Sequence, residues 1–127
     1  MKVLADTHVL LWALADSPLL SRRAREVLQD SSNECWASSA SVWEIAIKTQ
    51  IGKYRLGFPL ARLENAIDAA GFHPLDITVR HAAALERVKV SHSDPFDRLL
   101  LAQCEIETLR LLTADRLLVD QAVALPC

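Results

Sequence analysis

Residues 91 to 103 read SHSDPFDRLLLAQ and set two aspartates at the mouth of a strongly apolar helix. Asp94 has the position of an N-cap and Pro95 that of the first helical residue, a pairing that removes one orphan N–H and pre-sets the entry dihedral. Asp97 falls in the first turn, where the helix dipole favours a negative charge, while Leu99, Leu100, Leu101 and Ala102 carry the next turns into a core. An acidic start to a buried helix is common in itself. Further carboxylates at the ends of other predicted elements give this one a second reading.

Upstream, Val3, Leu4 and Ala5 form a buried-strand pattern that delivers Asp6 at its carboxyl end. Val9 to Ala15 then predicts a helix that is apolar on every side and carries Trp12, so the fold or a partner must cover it. Ser21 caps a second helix with Ala24, Val27 and Leu28 inward, and Cys35-Trp36-Ala37 predicts a brief strand. Ser38 to Ser41 opens a third helix, where Ser41 and Glu44 match a capping box, and Gly52 stops it. Pro59 starts a fourth helix ended by Gly71. Phe72 to Ile77 reads as a strand, and Thr78 caps a helix to about Val88. Downstream of the opening stretch, Thr108 to Thr113 is a strand delivering Asp115, and residues 117 to 125 supply a short turn and an edge strand.

Strands alternate with helices and no hairpin signal joins any two of them. That order predicts an α/β domain with a short parallel sheet flanked by helices, spanning residues 1–127 as one unit. Ligands of such sheets lie beyond the carboxyl ends of the strands, where Asp6 and Asp115 fall.

The 127 residues suffice for one core, and the 51% hydrophobic content suggests apolar surface that meets a partner. A net charge of −2 argues against a large basic face for duplex DNA. Cys35, Cys104 and Cys127 have no CxxC spacing, which indicates neither a disulfide framework nor a zinc site and fits a reduced cytoplasm. Asp6 and His8 interrupt the N-terminal apolar run, leaving it too short to span a membrane.

Asp6, Glu44, Asp97 and Asp115 therefore all sit at element ends that can converge. Close carboxylates repel and raise one another's pKa unless a cation neutralises them, and the usual cation is a hard divalent ion, Mg²⁺ or Mn²⁺. His8, His73, His81 and His92 lack the i,i+4 spacing of a nitrogen-liganded metal site. Each acid also has a structural reading: Glu44 in its capping box, Asp6 as a strand end, Asp115 in a turn, Asp94 as a cap.

LADTHVLLWAL, SSASVWEIAIKTQIGK, SDPFDRLLLAQ and LLTADRLL, in this order and spacing, resemble the PIN-domain ribonucleases of the VapC type, the toxin halves of bacterial type II toxin–antitoxin pairs. The resemblance covers nearly the whole chain. It implies a PIN-like three-layer sandwich, Mg²⁺- or Mn²⁺-dependent RNA cleavage, a VapB-like antitoxin partner and a homodimer. Residue by residue, the family's acids fall on Asp6, Glu44, Asp97 and Asp115, with Asp6 and Asp97 holding the metal. Register favours Asp97 over Asp94, because the family's acid directly precedes the apolar helix. Thr7 and Thr113 are candidates to orient ligands, and Lys48, Lys53, Arg98 and Arg116 to contact RNA phosphates, with plain solvated surface charge as the alternative for each of the four.

Two catalytic classes fit less well. A receiver domain requires a lysine at a late strand end, where Thr113-Ala114-Asp115 stands, and a haloacid-dehalogenase-type phosphatase requires an acid where His8 stands. A non-catalytic PIN-like binding module is the alternative.

Overall fold

The computed structural model describes residues 1–89 and 93–127. Ser91 and His92, at the start of the opening stretch, lie outside the described residues. Five strands, β1 (Lys2–Ala5), β2 (Glu34–Ser38), β3 (His73–Leu75), β4 (Arg110–Thr113) and β5 (Ala124–Pro126), form one sheet in the order β3-β2-β1-β4-β5. Every pair is parallel. The chain therefore builds outward from β1 to β3 and then returns to add β4 on the opposite flank of β1. That reversal lies between β1 and β4.

Side chains alternate faces along a strand, and the core divides accordingly. Val3, Ala5, Cys35, Ala37 and Leu112 pack with α1 (Thr7–Leu14), α2 (Arg22–Gln29), Ile45 of α3 (Ser39–Gln50) and Leu63 and Ile67 of α4 (Leu63–Ala69). Leu4 and Leu111 instead meet Leu100, Leu101 and Cys104 of α6 (Pro95–Glu107). The result is the expected three-layer α/β sandwich.

Most element boundaries follow local chemistry. Ser21 and Thr78 cap their helices through the side chain, and Asp94 accepts the amides of Phe96 and Asp97 at 2.9 and 3.3 Å. Several element boundaries need correction. The cap of α3 is Ser38, whose hydroxyl accepts the Ala40 amide at 3.0 Å, so Ser41 and Glu44 form no capping box. Pro59 opens a 3-10 turn, Leu60–Arg62, before α4, and the helix after Thr78 gives way at Ala84 to another, Ala84–Arg87, leaving α5 as Val79–Ala83. The all-round apolar α1 is largely covered by the domain itself: Val9, Leu10 and Leu11 are buried, Trp12, Ala13 and Leu14 pack half-buried against the same core, and His8 is exposed.

A buried polar chain, in which Gln103 Nε2 lies 3.4 Å from His81 Nδ1, ties β2 and α5 to α6. The Ser38 hydroxyl donates to Gln103 Oε1, and Gln103 Nε2 reaches the Asp76 carbonyl at 3.4 Å. His81 Nδ1 accepts the Thr78 amide at 3.0 Å, which leaves the proton on Nε2 to be donated to Glu107, 2.9 Å away. The two ends of this chain thus fix β2 and α5 against α6. Gln103→Leu removes the acceptor of a fully buried hydroxyl and should cost about 1–3 kcal/mol in urea denaturation. Unchanged stability would show that the chain does not brace the layers.

Candidate active site

Asp6 leaves β1 at its carboxyl end and immediately caps α1. The Ala5–Leu112 pairing and an Asp6 amide bond to the Leu112 carbonyl, 3.0 Å, seat it beside β4. Asp6 is 4% exposed; Oδ1 accepts the Val9 amide at 2.8 Å and Oδ2 accepts the Thr113 hydroxyl. The same Thr113 oxygen accepts the Asp115 amide at 3.0 Å, so one side chain sets both acids across the β1–β4 reversal. Asp115 in turn receives the Leu117 amide on Oδ1, 2.9 Å, a turn contact that coexists with its position at the strand end.

Glu44 arrives from the neighbouring helix. Ser41, released from capping, is buried and accepts the Thr7 hydroxyl at 3.0 Å, pinning the start of α1 to α3 one turn before Glu44. Glu44 is 4% exposed. Its Oε2 pairs with Lys48 Nζ, whereas Oε1 is buried with no hydrogen-bond partner among the described residues. Burial works against the Lys48 ammonium, but Glu44 and Tyr54 outweigh it and raise the Lys48 pKa.

Asp97 joins from the first turn of α6. Burial pushes its carboxyl up to about 7, with the charges of Asp94, Asp115, Glu44 and Asp6 acting in the same direction. Asp6 is also raised, chiefly by burial, with Asp115 adding a little, against the Thr113 and Val9 hydrogen bonds that favour its charged form. All four expected acids therefore lie in one electrostatic field. Among the described residues, however, no three Asp, Glu, His or Cys side chains already form a cage for a cation.

The four basic residues divide. Lys48 holds Glu44, and Arg98 reaches back to the Leu85 carbonyl at 3.3 Å, whereas Lys53 and Arg116 are exposed. The Glu44–Lys48 pair was legible as an i,i+4 spacing with the acid N-terminal. Tyr54, whose hydroxyl lies 3.5 Å from Lys48 Nζ and 3.4 Å from His8 Nε2, carries no such signal.

The raised Asp97 pKa fixes the sign of a pH dependence. In the folded state Asp97 keeps a proton that the unfolded chain releases near 3.8, so metal-free stability should fall as pH rises from there through about 7. Asp97→Asn should flatten that fall in urea titrations of EDTA-treated protein. Equal slopes in both proteins would clear Asp97 of this strain.

Solved structures share the architecture. One, titled the crystal structure of VapBC2 from Rickettsia felis bound to a DNA fragment from their promoter, superposes with a TM-score of 0.69 at 11% identity, covering 100% of this chain and 98% of that one. Another, a toxin–antitoxin complex from Klebsiella pneumoniae, gives 0.66 at 16% identity, over 97% and 95%. At such identities the likeness speaks for the fold. No curated protein matches the chain. The family model of the PIN domain matches residues 3–123, nearly the whole length, and the chain belongs to that family.

Proposed function

We propose that this protein is a metal-dependent endoribonuclease and the toxin of a VapBC-type pair. PIN domains are in general nucleases that use divalent ions. The observation that carries the reading here is the convergence of four acids from separate elements, one of which keeps a buried, unpartnered oxygen, Glu44 Oε1. An oxygen-only donor set with excess negative charge and an unsatisfied carboxylate oxygen fits Mg²⁺ or Mn²⁺. Asp6 and Asp97 would hold the ion, and Glu44 and Asp115 would complete the pocket. When bound, such an ion supplies Lewis acidity toward a phosphodiester and lowers the pKa of water at the site.

The chain's own residues prepare that chemistry. Thr113 and the Val9 amide fix both oxygens of Asp6, leaving lone pairs on each. Asp94 spends one oxygen on the first amides of α6 and thereby sets the turn from which Asp97 projects. Lys53 and Arg116, both exposed, are available to RNA phosphates.

A VapB-like antitoxin as partner is supported by the two structural neighbours, VapBC2 and a toxin–antitoxin complex. Trp43, 59% exposed beside Glu44 and edge-on to Phe96, is an apolar side chain of the kind that an antitoxin or a second copy covers. No helix is long and apolar enough to cross a membrane among the described residues.

Cleavage assays on RNA decide between this reading and a non-catalytic binding module. Wild type should cut with Mg²⁺ or Mn²⁺ and stop with EDTA. Asp97→Asn should keep its circular dichroism and lose most cleavage, since a neutral amide is a poor ligand for these ions. Asp94→Asn should cut almost normally, and Asp94→Ala should lose ~1 kcal/mol of stability while still cutting. An inert wild type would favour the binding module; a dead Asp94→Asn beside an active Asp97→Asn would reassign the ligand.

A further inference from the structure

Lys48 is, among the described residues, the cation paired with one of the four site acids. Resting on the metal-site reading above, we propose that Lys48 is a built-in counter-ion: its ammonium neutralises Glu44 while the pocket holds no divalent ion, and it gives up that carboxylate when one enters. A carboxylate as buried as Glu44 is tolerated only with a partner, and Lys48 supplies it through Oε2 while Oε1 goes unmatched. An arriving divalent ion satisfies the same charge and repels the ammonium.

The ammonium has somewhere to go. Its side chain is 26% exposed, and a lysine stem is flexible enough to relocate without moving α3. Tyr54 offers an adjacent seat, with its hydroxyl 3.5 Å from Nζ and its ring centre 5.3 Å away. The exchange has two consequences. Lys48 keeps the fold stable before metal arrives, and it weakens metal binding below what the acids alone would give.

A purely structural i,i+4 ion pair would stabilise α3 without touching metal affinity, which makes the two roles separable. Mn²⁺ titration by calorimetry on the intact protein, without RNA and at one pH, compares wild type, Lys48→Met and Lys48→Arg. Lys48→Met should bind Mn²⁺ more tightly, by about 5–150-fold, the usual range of coupling between sites. Its melting temperature should be below wild type without metal, and the gap should close with saturating Mn²⁺. Lys48→Arg, which keeps the charge, should stay near wild type. If Lys48→Met does not fold, Lys48→Gln carries the same comparison. Equal or weaker Mn²⁺ binding by the neutral variant, with wild type still binding, overturns the role of Lys48 and leaves the metal site standing. A wild type that binds no Mn²⁺ overturns both.

Discussion

Like charges gathered at low dielectric are the constraint on which this structure depends. Asp6 and Glu44 are each 96% removed from solvent, at 4% exposure, and Asp97 is raised to about 7 by burial and by its acidic neighbours. Such a cluster weakens the fold unless something offsets it. Several local features do so in part: the Val9 amide and Thr113 hydroxyl on Asp6, the α6 amides on Asp94, the Lys48 ammonium on Glu44. What they leave over, an unpartnered Glu44 oxygen and a carboxyl that resists ionisation, is the chemistry expected of a site built for a divalent cation.

The topology explains why the acids meet. Because β1 lies at the centre of an all-parallel sheet and the chain reverses direction of growth beside it, the carboxyl ends of β1 and β4 open onto the crevice where such folds bind ligands. Asp6 follows β1 directly, and Asp115 stands two residues beyond the end of β4. Glu44 and Asp97 come from two different helices, α3 and α6, and Ala40 of α3 packs in the same cluster as Leu100, Leu101 and Cys104 of α6. Ser38, which ends β2 and caps α3, is hydrogen-bonded to Gln103 of α6, so a buried bond links the two helices that carry them. The brace and the site therefore share the same elements.

How much of this was legible in the sequence follows from how local each cause is. Asp94-Pro95 announced the start of α6 because a cap and a proline act within one turn. The strand–helix alternation announced the parallel sheet, and Asp6, Asp97 and Asp115 stand near element ends as expected, whereas Glu44 stands in the second turn of α3 because the cap is Ser38. The cap of α3 is not legible locally, because serines at 38, 39 and 41 offer several capping registers; Ser38 caps, and the Ser41 hydroxyl instead accepts from Thr7, 34 residues away. β3 is shorter than the run 72 to 77 because only His73–Leu75 pairs, at the edge, with β2. Lys48, by sequence a candidate either for an RNA contact or for plain surface charge, instead pairs with the acid one helical turn back, Glu44. That the four acids act together in catalysis is a proposal that the fold supports by position and charge.

The most direct measurement is a crystal structure of the wild-type protein soaked with Mn²⁺, with anomalous differences collected to locate the ion. A peak within about 2.5 Å of carboxylate oxygens of both Asp6 and Asp97 is the expected result. A fully occupied peak elsewhere on the molecule, or no peak at Mn²⁺ concentrations that support RNA cleavage, would contradict it.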